Sequence, residues 1–230
     1  MNKITQMLIL QQQLNDATGG IGWENGMTNK GKPIDWRRCI YLETAELVDS
    51  YPWKHWKNID ANPDYENIKI EIVDIWHFVM SEALRDYKVN KKGDVQALSN
   101  DMLQLPYYKD FASDSVSAQL AVFEQIALIE DFMKILFTSD NILDWVDDFF
   151  KMSGSLQTNL SELYQLYIGK NILNQFRQDH GYKEGTYIKQ WNDVEDNVVM
   201  QQILAKHSDM SPEKLYDLLE EAYVVESGKR

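Results

Sequence analysis

Residues 68–78 read Ile-Lys-Ile-Glu-Ile-Val-Asp-Ile-Trp-His-Phe, a helix-length segment that is apolar on nearly every side. Such a helix is buried all round rather than along one stripe, so the rest of the chain must surround it. Strand-like alternation is scarce. With only 11 Gly and 5 Pro in 230 residues, long stretches lack both, which predicts helices joined by short loops. Helical periodicity places them at about 3–17, 36–51, 63–88, 114–137, 140–152, 156–178, 193–206 and 211–225. Gly19, Gly20, Gly22 and Gly26 separate the first two, and Pro52 stops the second, since proline cannot continue a helix interior. Residues 91–113 are polar, contain Pro106 and read as an insertion or a lid. The expected fold is all-α: one compact helical domain over 1–230, with its C-terminal helices the candidate mobile part.

The buried segment carries acids where acids are expensive. Glu71 and Asp74 are three residues apart and share a helix face, as do Glu43 and Glu46 in the apolar helix Cys39–Asp49. An arbitrary acid pair at this spacing is usually a solvated face. Here apolar neighbours surround it, and an unpartnered carboxylate out of water costs several kcal/mol. Few Lys or Arg lie nearby, so divalent cations are the economical partners. Hard oxygen ligands without Cys suit Mg²⁺ or Mn²⁺ rather than zinc. Asp74 and His77 also form an acid-x-x-His string, the unit of di-iron bundles. Of His55, His77, His180 and His207, only His77 has an acid three residues before it, so the second string that a di-iron site needs is missing. His77 alone is more often a packing residue than a ligand.

Charge narrows the partners. A net charge of −13 makes the chain a poor general binder of nucleic acid. It can still bind a nucleotide if cations stand between its carboxylates and the phosphates. No apolar run reaches the ~18 residues of a membrane span, and Met1–Leu14 does not read as a signal peptide. Cys39 is the single cysteine, which excludes an internal disulfide and a cysteine metal cage and makes a reducing cytoplasm the expectation.

Against this acidic background, residues 169–191 are net positive. Lys170, Asn174 and Arg177 fall on one helical stripe, with Lys183, Lys189, Tyr182 and Tyr187 after it. Arg and Lys so arranged suit phosphate oxygens, although a solvated basic face has the same look. Near the N-terminus, Gln11 and Asn15 are four apart, and their amides supply the donors and acceptors that a base edge requires. The aromatic segment Tyr51–Lys57 offers stacking surface, or simple core.

Together these segments resemble the dimeric, all-α dUTPase family, part of the wider all-α NTP pyrophosphatase superfamily. The stretches that carry the resemblance are LQQQLN at 10–15, ETAELVDSYPWKHWKN at 43–58, IKIEIVDIWHF at 68–78, IGKNILNQFRQDHGYKEGTY at 168–187 and WNDVEDN at 191–197. The E-x-x-E and E-x-x-D pairs are shared across the superfamily; SYPWKHWKN and GYK-x-G-x-Y are more specific. Residues 88–155 carry no matching motif.

The resemblance implies a compact bundle of the superfamily type and hydrolysis of dUTP, and of dUDP in the broader reading, to dUMP by Mg²⁺-assisted water attack at the α-phosphate. It implies that Glu43, Glu46, Glu71 and Asp74 bind metal, with Glu43 or Glu46 taking the proton. It assigns Gln11, Asn15 and His55 to uracil, His55 standing where some relatives carry Trp. Lys170, Asn174, Arg177, Tyr182 and Lys183 are implied as phosphate ligands, Lys189 less securely, and the active form as a homodimer. The residues alone leave open a pyrophosphatase preferring dCTP and a helical protein that binds nucleotides without hydrolysing them.

Overall fold

In a computed structural model of the chain, the residues described are 1–57, 61–113, 120–206 and 211–227, the last four by backbone only. Asn58 and His207, and the first six residues of the helix expected from 114, lie outside them. The all-α expectation holds: ten helices and one two-residue-per-strand hairpin are found among the described residues. Each of the first three α-helices starts where a side chain satisfies an orphan N–H group. Asn2 accepts from Thr5 N at 2.8 Å to open α1 (Lys3–Gly19), and Asp35 accepts from Arg38 N at 2.9 Å to open α2 (Trp36–Asp49). Asp64 accepts from Asn67 N at 3.1 Å to open α3 (Tyr65–Val89). No described helix is long and apolar enough to cross a membrane.

The chain divides into two compact units, Met1–Tyr164 and Gln165–Arg230. In the first, α3 touches α1, α2, α4 and α7, as its all-round apolar sequence requires. Ile72, Ile75, Trp76, Val79, Met80 and Ala83 on it have no exposed surface. Trp76 stacks on Phe149 of α7 (Ile142–Ser155), with ring centroids 4.8 Å apart. The helix α6 (Val122–Thr138) closes against α2 and α7. Residues 91–113 are not a polar insertion. They form α4 (Val95–Met102) and α5 (Tyr108–Phe111), which bury Leu98, Met102 and Phe111, the last stacked on Phe150 at 4.6 Å.

The boundary between the units falls within α8 (Leu160–Asp179). The second unit adds β1 (Gln190–Trp191), β2 (Val194–Glu195), α9 (Asp196–Lys206) and α10 (Pro212–Ser227). The hairpin turns on Asn192 and Asp193, with φ of 52° and 63°. Two residues in the left-handed region match the twist of the flanking strands, and Asn and Asp tolerate it best after Gly. The turn drives Trp191 into a core with Leu173, Phe176, Met200, Leu215, Leu219 and Tyr223.

Candidate active site

Packing of α2 on α3 brings Glu43, Glu46 and Glu71 together: one carboxylate oxygen from each lies within 4.8 Å of the others. The helix pair explains why. Glu43 and Glu46 are adjacent on α2, and α3 turns Glu71 toward them. Glu71 is 6% exposed, Glu43 is half-buried and Glu46 is open to solvent. Asp74, one turn along α3 and half-buried, does not join this cluster.

Like charges so close repel by about 3 kcal/mol per pair at an effective dielectric near 20. A cation with a taste for hard oxygen removes that penalty. Cys39, one turn before Glu43, does not compete as a ligand: burial, and then the Glu43 charge, push its thiol up, so it stays protonated at neutral pH. The donor set therefore fits Mg²⁺ or Mn²⁺ and not a soft metal.

Ten residues beyond Glu71, the same helix meets α1 in a buried polar group. Gln11, Asn15, His77 and Ser81 are 2%, 3%, 4% and 0% exposed. Gln11 Nε2 donates to Asn15 Oδ1 and to Ser81 Oγ, both at 3.0 Å. Asn15 Nδ2 donates to Ser81 Oγ at 3.0 Å, and His77 Nδ1 meets Gln11 Oε1 at 2.7 Å. The structure thus unites Gln11 with Asn15. It also identifies Ser81, which the sequence reading missed; the only clue was its position four residues after His77. His55 is not part of this group. It is exposed, its ring edge-on to Trp56 at 4.8 Å in a turn where Trp53 Nε1 and Lys54 Nζ both donate to Asp49. The Lys54 and then the Trp53 hydrogen bond hold the Asp49 carboxyl below its ordinary range. Trp36 of α2 stacks on Phe78 of α3 at 5.8 Å, a pair the sequence did not single out.

In the second unit the basic stripe is built around an acid. Arg177 Nε and Nη2 reach the two oxygens of Asp196 at 2.8 Å each. The guanidinium also donates to Asn174 Oδ1 at 3.2 Å and to Asn197 Oδ1 at 3.3 Å. Lys170, 5% exposed, donates to Asn197 Oδ1 at 2.9 Å. Tyr187 O–H donates to Asp196 at 2.8 Å; burial, and then the Asp196 charge, push this hydroxyl well up, so it remains a donor. Lys170, Asn174 and Arg177 therefore share one network, as their stripe predicted. Asp196 and Asn197, quoted above only as motif residues, prove to be its centre. Tyr182 lies within 5.9 Å of the Arg177 guanidinium and 5.6 Å of Lys189 Nζ. Lys183 is exposed.

The loop that presents Tyr182 depends on Gly181, at φ +85°, where an added Cβ would lie 2.1 Å from Thr186 Oγ1. Gly181→Ala is expected to cost more than about 1 kcal/mol, from left-handed backbone and collision combined. A lowered urea midpoint checks this; an unchanged midpoint would show that the loop rearranges freely.

A family model described as dUTPase matches residues 3–182, which is 180 of 230 residues. No curated protein matches the chain.

Proposed function

The chain belongs to the all-α dimeric dUTPase family and is a dUTP diphosphatase, and from that premise we propose how its residues carry out the reaction. Glu43, Glu46 and Glu71, with Asp74 beside them on α3, would hold a divalent cation, Mg²⁺ or Mn²⁺. When bound, such a cation supplies an acidified water and neutralises charge on phosphate oxygens. The protein supplies the rest. Glu46, the solvent-facing member of the triad, takes the proton from the water that attacks the α-phosphate. Buried Glu71 fixes the geometry of the cluster from below. Gln11 and Asn15 read uracil, and His55 caps the base from its aromatic turn. Lys170, Asn174, Arg177, Tyr182 and Lys183 hold the β- and γ-phosphates and favour pyrophosphate as leaving group. dUDP gives dUMP and phosphate by the same attack. The working form is a homodimer in the cytoplasm.

The observation that carries this reading is the convergence of three carboxylates from two helices within 4.8 Å. The test is a product assay on dUTP, dUDP, dCTP, dTTP and dATP, with Mg²⁺ and with a chelator. We expect dUMP and pyrophosphate from dUTP, all lost on chelation and restored by Mg²⁺. Turnover that survives exhaustive chelation would overturn the metal role. A preference for dCTP would overturn the assigned base.

A further inference from the structure

We infer that Ser81 is the positioning residue that makes the base site read uracil rather than cytosine; this rests on the assignment of Gln11 and Asn15 to the base. The argument is one of hydrogen-bond polarity. The Ser81 hydroxyl has one proton, and it goes to the backbone carbonyl of His77, one turn back on α3, at 2.8 Å. A carbonyl can only accept, so the direction of that bond is not negotiable. Toward its other neighbours Ser81 Oγ must therefore accept. The contact from Ser81 Oγ to Asn15 Oδ1, longer at 3.3 Å, has no proton left to bridge it.

Two amide groups are pinned as a result. Gln11 places its nitrogen 3.0 Å from Ser81 Oγ, where a flip would set oxygen against oxygen, and through Gln11 the order passes to Asn15, whose flip would set nitrogen against the Gln11 nitrogen. With Gln11 Nε2 facing Ser81, its Oε1 faces His77 Nδ1 at 2.7 Å, so that ring nitrogen carries a proton. Asn15 Oδ1 accepts the second proton of Gln11 Nε2 at 3.0 Å. These side chains are nearly sealed from water, where an unsatisfied group costs far more than on a surface. The pattern thus propagates in one sense from a backbone carbonyl to the base site.

That sense is what the base discrimination needs. Uracil offers an oxygen at position 4 and N–H at position 3, while cytosine offers an amino group and a bare nitrogen there. Exchanging one base for the other inverts donor and acceptor, the same exchange that an amide flip makes. Free amides would serve both bases. Amides locked by Ser81 serve one.

The experiment is Ser81→Ala in the full chain. Steady-state kinetics on dUTP and dCTP with Mg²⁺ give the ratio of kcat/KM, and calorimetry gives the affinities for dUMP and dCMP without turnover. We expect both ratios to move toward cytidine by about tenfold or more, mainly through KM, since the reacting atoms lie elsewhere. Ser81→Cys, which keeps the size and weakens the acceptor, carries the same reading should the alanine variant fail to fold. Unchanged ratios in the folded variant, with Asn15→Ala weakening dUMP, would overturn the role of Ser81 and leave the base site standing. If Asn15→Ala leaves dUMP affinity intact, the base assignment itself falls, and this inference with it.

Discussion

Glu46→Gln is expected to keep the fold and lose about a hundred- to a thousandfold in kcat. The two parts of this expectation come from the same place. Glu46 is the solvent-exposed member of a cluster in which three carboxylate oxygens lie within 4.8 Å. On the proposed roles, removing its charge takes away a base and a cation ligand, and it also relieves repulsion within the cluster. Without divalent ions the variant should therefore melt no lower than the parent. With Mg²⁺ the parent should gain stability by mass action and the variant should gain less. Thermal melts with and without Mg²⁺, beside rate measurements, separate a lost catalyst from a lost fold. Full turnover in the folded variant would remove Glu46 from the chemistry.

The second large effect is one of stability. Asp196→Ala should destabilise the second unit by about 3–5 kcal/mol. Asp196 is 1% exposed, and its loss leaves Arg177, 8% exposed, without its bidentate partner. Tyr187 loses its acceptor as well. Hydrogen exchange should show protection falling in α8, the hairpin and α9 while α3 stays protected. The double variant Arg177→Met with Asp196→Leu should recover much of the loss, because an apolar pair needs no charge compensation. A cost under about 1 kcal/mol for Asp196→Ala, the value of an exposed ion pair, would show that water reaches Arg177 freely.

How much of this was legible beforehand follows from the range over which each feature is encoded. The long helices were visible because several turns of periodicity repeat the same message. The short α4 and α5 were not. Eight and four residues are too few for a pattern to stand out, and the large apolar side chains they bury are Leu98, Met102 and Phe111. The triad was legible because Glu43 and Glu46, and Glu71 in its apolar run, declare themselves within single helices. That Asp74 stands outside the cluster depends on how α3 is rotated against α2, which no local pattern records. The Arg177–Asp196 pair spans nineteen residues and exists only because Asn192 and Asp193 reverse the chain. Ser81 was invisible for a different reason. A serine bonded to its own helix looks in sequence like any small residue in a core.

One consequence of α3 reaches beyond any single side chain. Glu71 and Ser81 stand on one unbroken rod, ten residues apart, or about 15 Å at the usual rise. If the phosphate end and the base end of a nucleotide are gauged from these two marks, the gauge is as stiff as the helix between them. Removing one residue from 72–80 would swing the marks about 100° out of line, so that neither end could be served while the other is held. Evolution can retune such a calliper by substitution, never by insertion, which leaves length changes to the loops beyond it.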